Sequence, residues 1–170
     1  MIAACILVIF PFCLAFAAFT DLFTMTIPNR VSGILFCAFV AVAPLAGLGI
    51  EQIGIHIMAA TLVFAVCFCL FAVKVMGGGD AKLLTASAIW FGLNASLAMF
   101  LFYVSIFGAI LTLVVLFLRK QENAILATGV PVPHLLLTAK KIPYGIAIAL
   151  GGFAAYPSSP LMRVMFAQLS

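Results

Sequence analysis

Long apolar runs, broken by a few short polar stretches, set the plan of this chain. A helix needs about 20 predominantly apolar residues to cross a bilayer. Runs of that order occupy Ile2–Phe19, Val31–Ile50, Ile53–Val73, Leu83–Leu118 and Ile142–Tyr156. As one helix the fourth run would be roughly 54 Å long, against a hydrocarbon core of about 30 Å. It therefore divides near Gly92-Leu93-Asn94, and its first part is short. The pattern predicts an all-α, polytopic integral membrane protein with about six transmembrane helices, forming a single domain over residues 1–170.

Composition agrees with this plan. Of the 170 residues 67% are hydrophobic and 7% charged, where a soluble domain carries about 25% charged residues. A cleaved signal peptide cannot account for apolar runs that continue to the C-terminus. Lys and Arg collect on the cytoplasmic side of membrane proteins. With the N-terminus outside, Arg30, Lys74, Lys82, Arg119, Lys120, Lys140 and Lys141 fall on the cytoplasmic side and Arg163 alone on the other. The net charge of +4 is thus read as topology, and no nucleic-acid partner is expected.

The polar segment Arg119–Lys141 contains "GVPVPH", which favours an extended path because prolines donate no helix hydrogen bond. His134 is read there as a solvated loop residue. His56, near the outer end of the third helix, is read as a packing or interfacial group. Cys5, Cys13, Cys37, Cys67 and Cys69 all lie in apolar runs without a CxxC pair, and are read as small buried hydrophobes, not as metal ligands or disulfide partners.

Carboxylates at membrane depth cost several kcal/mol unless paired or wetted, so each is a candidate functional group. Asp21 closes the first span in "TDLFTMTIPN", and Asp80 follows three glycines in "GGGDAKLL". Glycines there permit non-helical backbone, positive φ and close approach of another chain. Both aspartates fall on one face of the membrane. Facing each other across a wet cavity, they could share a proton, one activating water and the other protonating a peptide carbonyl. The competing reading pairs them with Arg30 and Lys82 at the interface. By the helix dipole, Asp80 at a helix start would favour the charged form and Asp21 at a helix end the protonated one. That assigns the base to Asp80 and the acid to Asp21.

"TDLFTMTIPN", "GGGDAKLL" and "KIPYGIAIALG" resemble, in order and spacing, the landmarks of the aspartic prepilin peptidases, membrane proteases of the GxGD type. The match runs from Asp21 to Gly151. Length and the "AKLL" after the glycines are most similar to the small branch serving Flp-type, or tight-adherence, pili. The resemblance implies removal of the leader peptide from prepilin-like proteins, whose basic leader precedes an apolar helix, at the cytoplasmic face of the inner membrane. It makes Asp21 and Asp80 the catalytic pair and has Gly77 and Gly79 shape the backbone at Asp80. Pro28 and Asn29 form the turn into the second span, with Asn29 as its cap. Lys82 holds either a substrate carboxylate or a lipid headgroup. Pro143, Tyr144 and Gly145 begin the last helix beside the site in a structural role.

Larger members carry an N-terminal segment with paired CxxC motifs, associated with N-methylation. This chain has neither, so a peptidase without methyltransferase activity is expected, needing no metal or organic cofactor. The archaeal branch acting on preflagellin-like and pilin-like substrates is a close alternative. A different class, a proton-coupled transporter or scaffold using the aspartates as relays, fits poorly with spans lacking an inverted repeat. Presenilin-like proteases are disfavoured because Asp21 lacks their Tyr-Asp context. Oligomeric state is left open.

Overall fold

The computed structural model describes residues 2–121, 136, 139 and 141–169. The segment with "GVPVPH" and His134, along with Glu122 and Lys140, lies outside them. All regular structure among the described residues is helical: α1 (Ile2–Thr24), α2 (Asn29–Leu45), α3 (Ile50–Ala72), α4 (Gly78–Ala88), α5 (Ala95–Lys120), α6 (Tyr144–Ala155), a 3-10 turn (Tyr156–Ser158) and α7 (Pro160–Leu169). Within α1, α3 and α5 the stretches Ala4–Thr24, Ile50–Ala72 and Ala95–Lys120 are long and apolar enough to cross a membrane. The shorter α2, α4 and α6 complete the expected set. The division of the fourth run falls where the sequence places it, with Gly92 in the left-handed region (φ 68°) and Asn94 capping α5 through Ser96 N–H at 2.8 Å.

α7 is a correction, since the apolar pattern gives no helix beyond Tyr156. At 10 residues it is about 15 Å long, too short for a span. It buries Leu161, Met162 and Met165 while leaving Arg163 and Phe166 exposed. Such a helix, apolar on one side only, suits the membrane surface.

Helix ends follow local chemistry. α2 closes in a Schellman motif, Leu48 N–H bonding Ala43 O at 3.1 Å and Gly47 N–H bonding Pro44 O at 3.0 Å, with Gly47 at φ 89° as that motif favours. α3 closes the same way, Val75 N–H on Leu70 O and Lys74 N–H on Phe71 O, both at 2.9 Å. Here Lys74 takes the left-handed position (φ 60°).

α6 is the hub. It lies between α1 and α5 and touches α4, while α4 packs on α3 and α2. Close packing in a bilayer needs small residues, because lipid is as apolar as any side chain. Gly151 and Gly152 supply them. A Cβ on Gly151 would stand 2.7 Å from Val104 N of α5, and one on Gly152 would collide with Leu14 of α1.

Aromatic side chains knit the bundle toward the start of α1 and the end of α4. Phe10 stacks on Tyr156 with centroids 4.3 Å apart, and Tyr156 donates to Ile6 O at 2.6 Å. Trp90 Nε1 donates to Leu35 O at 3.1 Å. His56 Nδ1 lies 2.6 Å from Ile89 O and its ring stacks on Phe39, which places His56 in packing. Outward faces of α1, α3 and α5 expose Phe12, Phe19, Val66, Phe68, Phe102 and Leu113, a surface suited to lipid. The cysteines divide between the two environments: Cys13 and Cys67 are buried, but Cys5, Cys37 and Cys69 are exposed, correcting the reading of all five as buried.

Candidate active site

Alternating helices bring the end of α1 and the starts of α2, α4 and α6 to one end of the bundle. Asp21 sits in the last turn of α1, where its carbonyl accepts Met25 N–H at 2.9 Å. Met25 is left-handed (φ 52°), so the chain turns away at once through Thr26 and Ile27 into Pro28, the N-cap of α2. Asp80 lies in the first turn of α4, whose N-cap is Gly77. Both carboxylates line one open cavity of about 210 Å³, together with Ile27, Asn29, the three glycines and Lys141. Since a water molecule takes up about 30 Å³, the space admits water beside a chain segment. Asp21 is 5% exposed and Asp80 half-buried.

Asp80 also borders two further spaces. One, of about 710 Å³, opens past Lys74, Met76 and Tyr144. The other, of about 240 Å³, is walled by Leu70, Leu84, Val104 and Ile148. The carboxylate therefore stands where a polar hollow meets an apolar one.

The glycines act by size, not by torsion. Positive φ among glycines occurs at Gly47 and Gly92, while Gly78 and Gly79 are ordinary helical residues of α4. The expected break stands at Gly77, the extended N-cap of α4 (φ −72°, ψ 143°), whereas the expectation of positive φ, and of non-helical backbone at Gly78 and Gly79, is corrected. What each glycine provides is room. A Cβ on Gly77 would stand 2.7 Å from Asp80 Oδ2, one on Gly78 3.2 Å from Phe71, and one on Gly79 3.3 Å from Ile27 Cβ.

Asn29 does not cap α2 with its side chain. It is the first residue of that helix, and its Oδ1 accepts Lys82 Nζ at 3.0 Å. That bond ties the starts of α2 and α4 together and occupies Lys82, which the sequence offers as a holder of substrate or lipid. It also weakens the pairing of the aspartates with Arg30 and Lys82, since Lys82 bonds an amide and Arg30 is exposed.

Gly145 meets the site directly. Its N–H donates to Asp21 Oδ2 at 2.7 Å, from the first turn of α6, after the N-cap Pro143. A helix N-terminus carries partial positive charge, so Asp21 and Asp80 each stand at one. The dipole argument giving the base to Asp80 and the acid to Asp21 is thereby cancelled. Tyr144 bonds Thr112 of α5 through its hydroxyl at 3.0 Å, fixing its ring beside the larger space. Ile27, which touches the sites of both Gly79 and Gly145, was not singled out from sequence, although it stands in the first landmark. No periodicity marks it, because its neighbours come from α4 and α6.

Chemically, the arrangement offers two acid–base groups from separate helices around a space open to water. Among the described residues no group of three or more His, Cys, Asp or Glu could hold a metal ion. The sequence profile of the type IV leader peptidase family matches residues 8–113, which include Asp21 and the Gly77–Asp80 turn. Comparison with curated proteins and with solved structures finds no match.

Proposed function

Because the chain belongs to the type IV leader peptidase family, we propose that it is a membrane-embedded aspartic endopeptidase that removes leaders from Flp-type prepilin-like proteins. The observation that carries this reading is the shared cavity of Asp21 and Asp80. An ionised carboxylate takes a proton from water as its oxygen attacks the scissile carbonyl carbon. The other carboxyl donates its proton to the carbonyl oxygen, giving a neutral gem-diol. Collapse of that intermediate breaks the C–N bond as a proton passes to the leaving nitrogen, and the pair ends with the single proton it began with. Gly145 N–H holds Asp21 in place throughout.

The apolar helix of such a substrate suits the face formed by Leu70, Val104 and Ile148; the basic leader is what the family resemblance implies. Pro28, Asn29 and Pro143 set the turns that shape the site. The reaction requires no metal or organic cofactor, and the chain acts as a peptidase without N-methylating its product. Co-expression with a prepilin carrying a basic leader and an apolar helix tests the proposal: the expected result is leader loss, seen as a gel shift. An uncut precursor beside correctly inserted enzyme would overturn it.

Topology gives an independent check. The proposal has the site at the cytoplasmic face of the inner membrane with the N-terminus outside. Cysteine accessibility should then report residues 21–30 and 74–82 as cytoplasmic and the turn at 47–51 as external. A cytoplasmic signal from the Glu51 turn would separate the aspartates from the leaders they are meant to cut.

A further inference from the structure

At the end of α5, Arg119 bonds two carbonyls of the segment leading into α6. Its Nε donates to Leu136 O at 2.9 Å and its Nη2 to Lys141 O at 2.6 Å. A planar guanidinium, with its donors fixed in a fork, suits this two-point hold. Lys141, so held, lines both the cavity containing Asp21 and the larger space beyond Asp80. Lys82, by contrast, is engaged by Asn29.

We propose that Lys141 is a positioning residue for the Asp21–Asp80 pair, its ammonium setting the charge that the pair carries at rest, with Arg119 fixing it over the cavity. This rests on the peptidase reading above and adds a third charge to the site. Lys141 lines the cavity that holds both carboxylates, and an ammonium near carboxylates favours their ionised forms. The side chain is exposed, so solvent and salt reduce its effect. The charged or titratable groups around this region among the described residues are Asp21 from α1, Lys74 from the end of α3, Asp80 and the Asn29-bound Lys82 from α4, Arg119 from α5, Lys141 itself and the Tyr144 phenol from α6.

Removing the cation makes both ionisations of the pair harder. Lys141→Met should therefore move both limbs of the pH profile of kcat/KM to higher pH, by about half a unit. Lys141→Arg should restore the wild-type profile. Arg119→Gln, which keeps the ammonium but frees its backbone, should shift the profile in the same direction as Lys141→Met. A merely structural role would lower the rate without moving the limbs. Infrared titration of isotope-labelled aspartate carboxyl bands, on full-length protein in lipid nanodiscs, reads the same shift without substrate. Carboxyl bands and limbs unmoved in Lys141→Met, or moved as far in Lys141→Arg, would overturn the proposal. A wild-type protein that cuts no prepilin would instead sink the peptidase reading, leaving Lys141 to be judged on the infrared titration alone.

Discussion

Asp21→Asn and Asp80→Asn should each abolish leader cleavage while the protein still inserts and folds. Asparagine keeps the size and planar shape of the side chain and removes its ability to exchange a proton. At position 21 the amide oxygen can still accept Gly145 N–H, so the contact between α1 and α6 survives. Positioned general acid–base groups contribute typically 10²–10⁴-fold each. Losing one member of a pair that works as a unit forfeits most of the joint effect, so the expected fall is at least about 10³-fold. Initial rates of leader loss, normalised to enzyme in the membrane fraction, measure it. Glu51→Gln is the matched control: Glu51 is exposed in the first turn of α3, away from the end of that helix that borders the site. Full activity in either aspartate variant would exclude the shared-proton mechanism.

Gly145→Ala should impair turnover far more than Gly79→Ala. The new Cβ would stand 2.9 Å from Asp21 Oδ2, 3.0 Å from Asp21 Cβ and 3.1 Å from Ile27 Cδ1. α6 cannot simply draw back, because Gly151 and Gly152 already seat it against Val104 and Leu14. The displacement therefore falls on the Asp21 carboxylate, and a shift of about 1 Å in a positioned group can cost about 10²-fold in rate. Gly79→Ala gives the contrast. Its Cβ meets only Ile27, at 3.3 Å, and alanine favours the α4 helix by about 1 kcal/mol over glycine. Its rate should fall severalfold at most, with thermal stability kept. Parallel measurement of rate and melting temperature separates the two, and a Gly79→Ala rate below that of Gly145→Ala would contradict this ordering.

The sequence is most informative where one-dimensional pattern carries the physics. Apolar runs mark α1, α2, α3 and α5, and the turn near Gly92 follows from the length of the fourth run against bilayer thickness. Alternation of spans puts residues 21 and 80 on one side, and their common cavity agrees with that parity. Pattern fails where distance between helices decides. The backbone break expected at residues 77–79 is confined to the N-cap Gly77, and no glycine there needs positive φ; what pattern could not show is the clearance the three give to Asp80, Phe71 and Ile27. Asn29 reads as a cap because caps are local, whereas its partner Lys82 comes from another helix. Cys37 and Cys69 read as buried because lipid-facing and core-facing positions are both apolar, so hydropathy cannot tell one from the other.

The two ends of α4 are held very differently. At its far end, Ile89 O meets His56 and Trp90 Nε1 meets Leu35 O inside the aromatic core. At its near end, the exposed Lys82–Asn29 bond joins it to α2. Mechanically α4 is anchored twice, by buried aromatic and imidazole contacts at the tip remote from Asp80 and by glycine-close packing on Ile27 and Phe71 at the tip that carries it. On the peptidase reading, the aromatic end of α4 would then set how long the protein survives heating, and the end carrying Asp80 how the site meets its substrate.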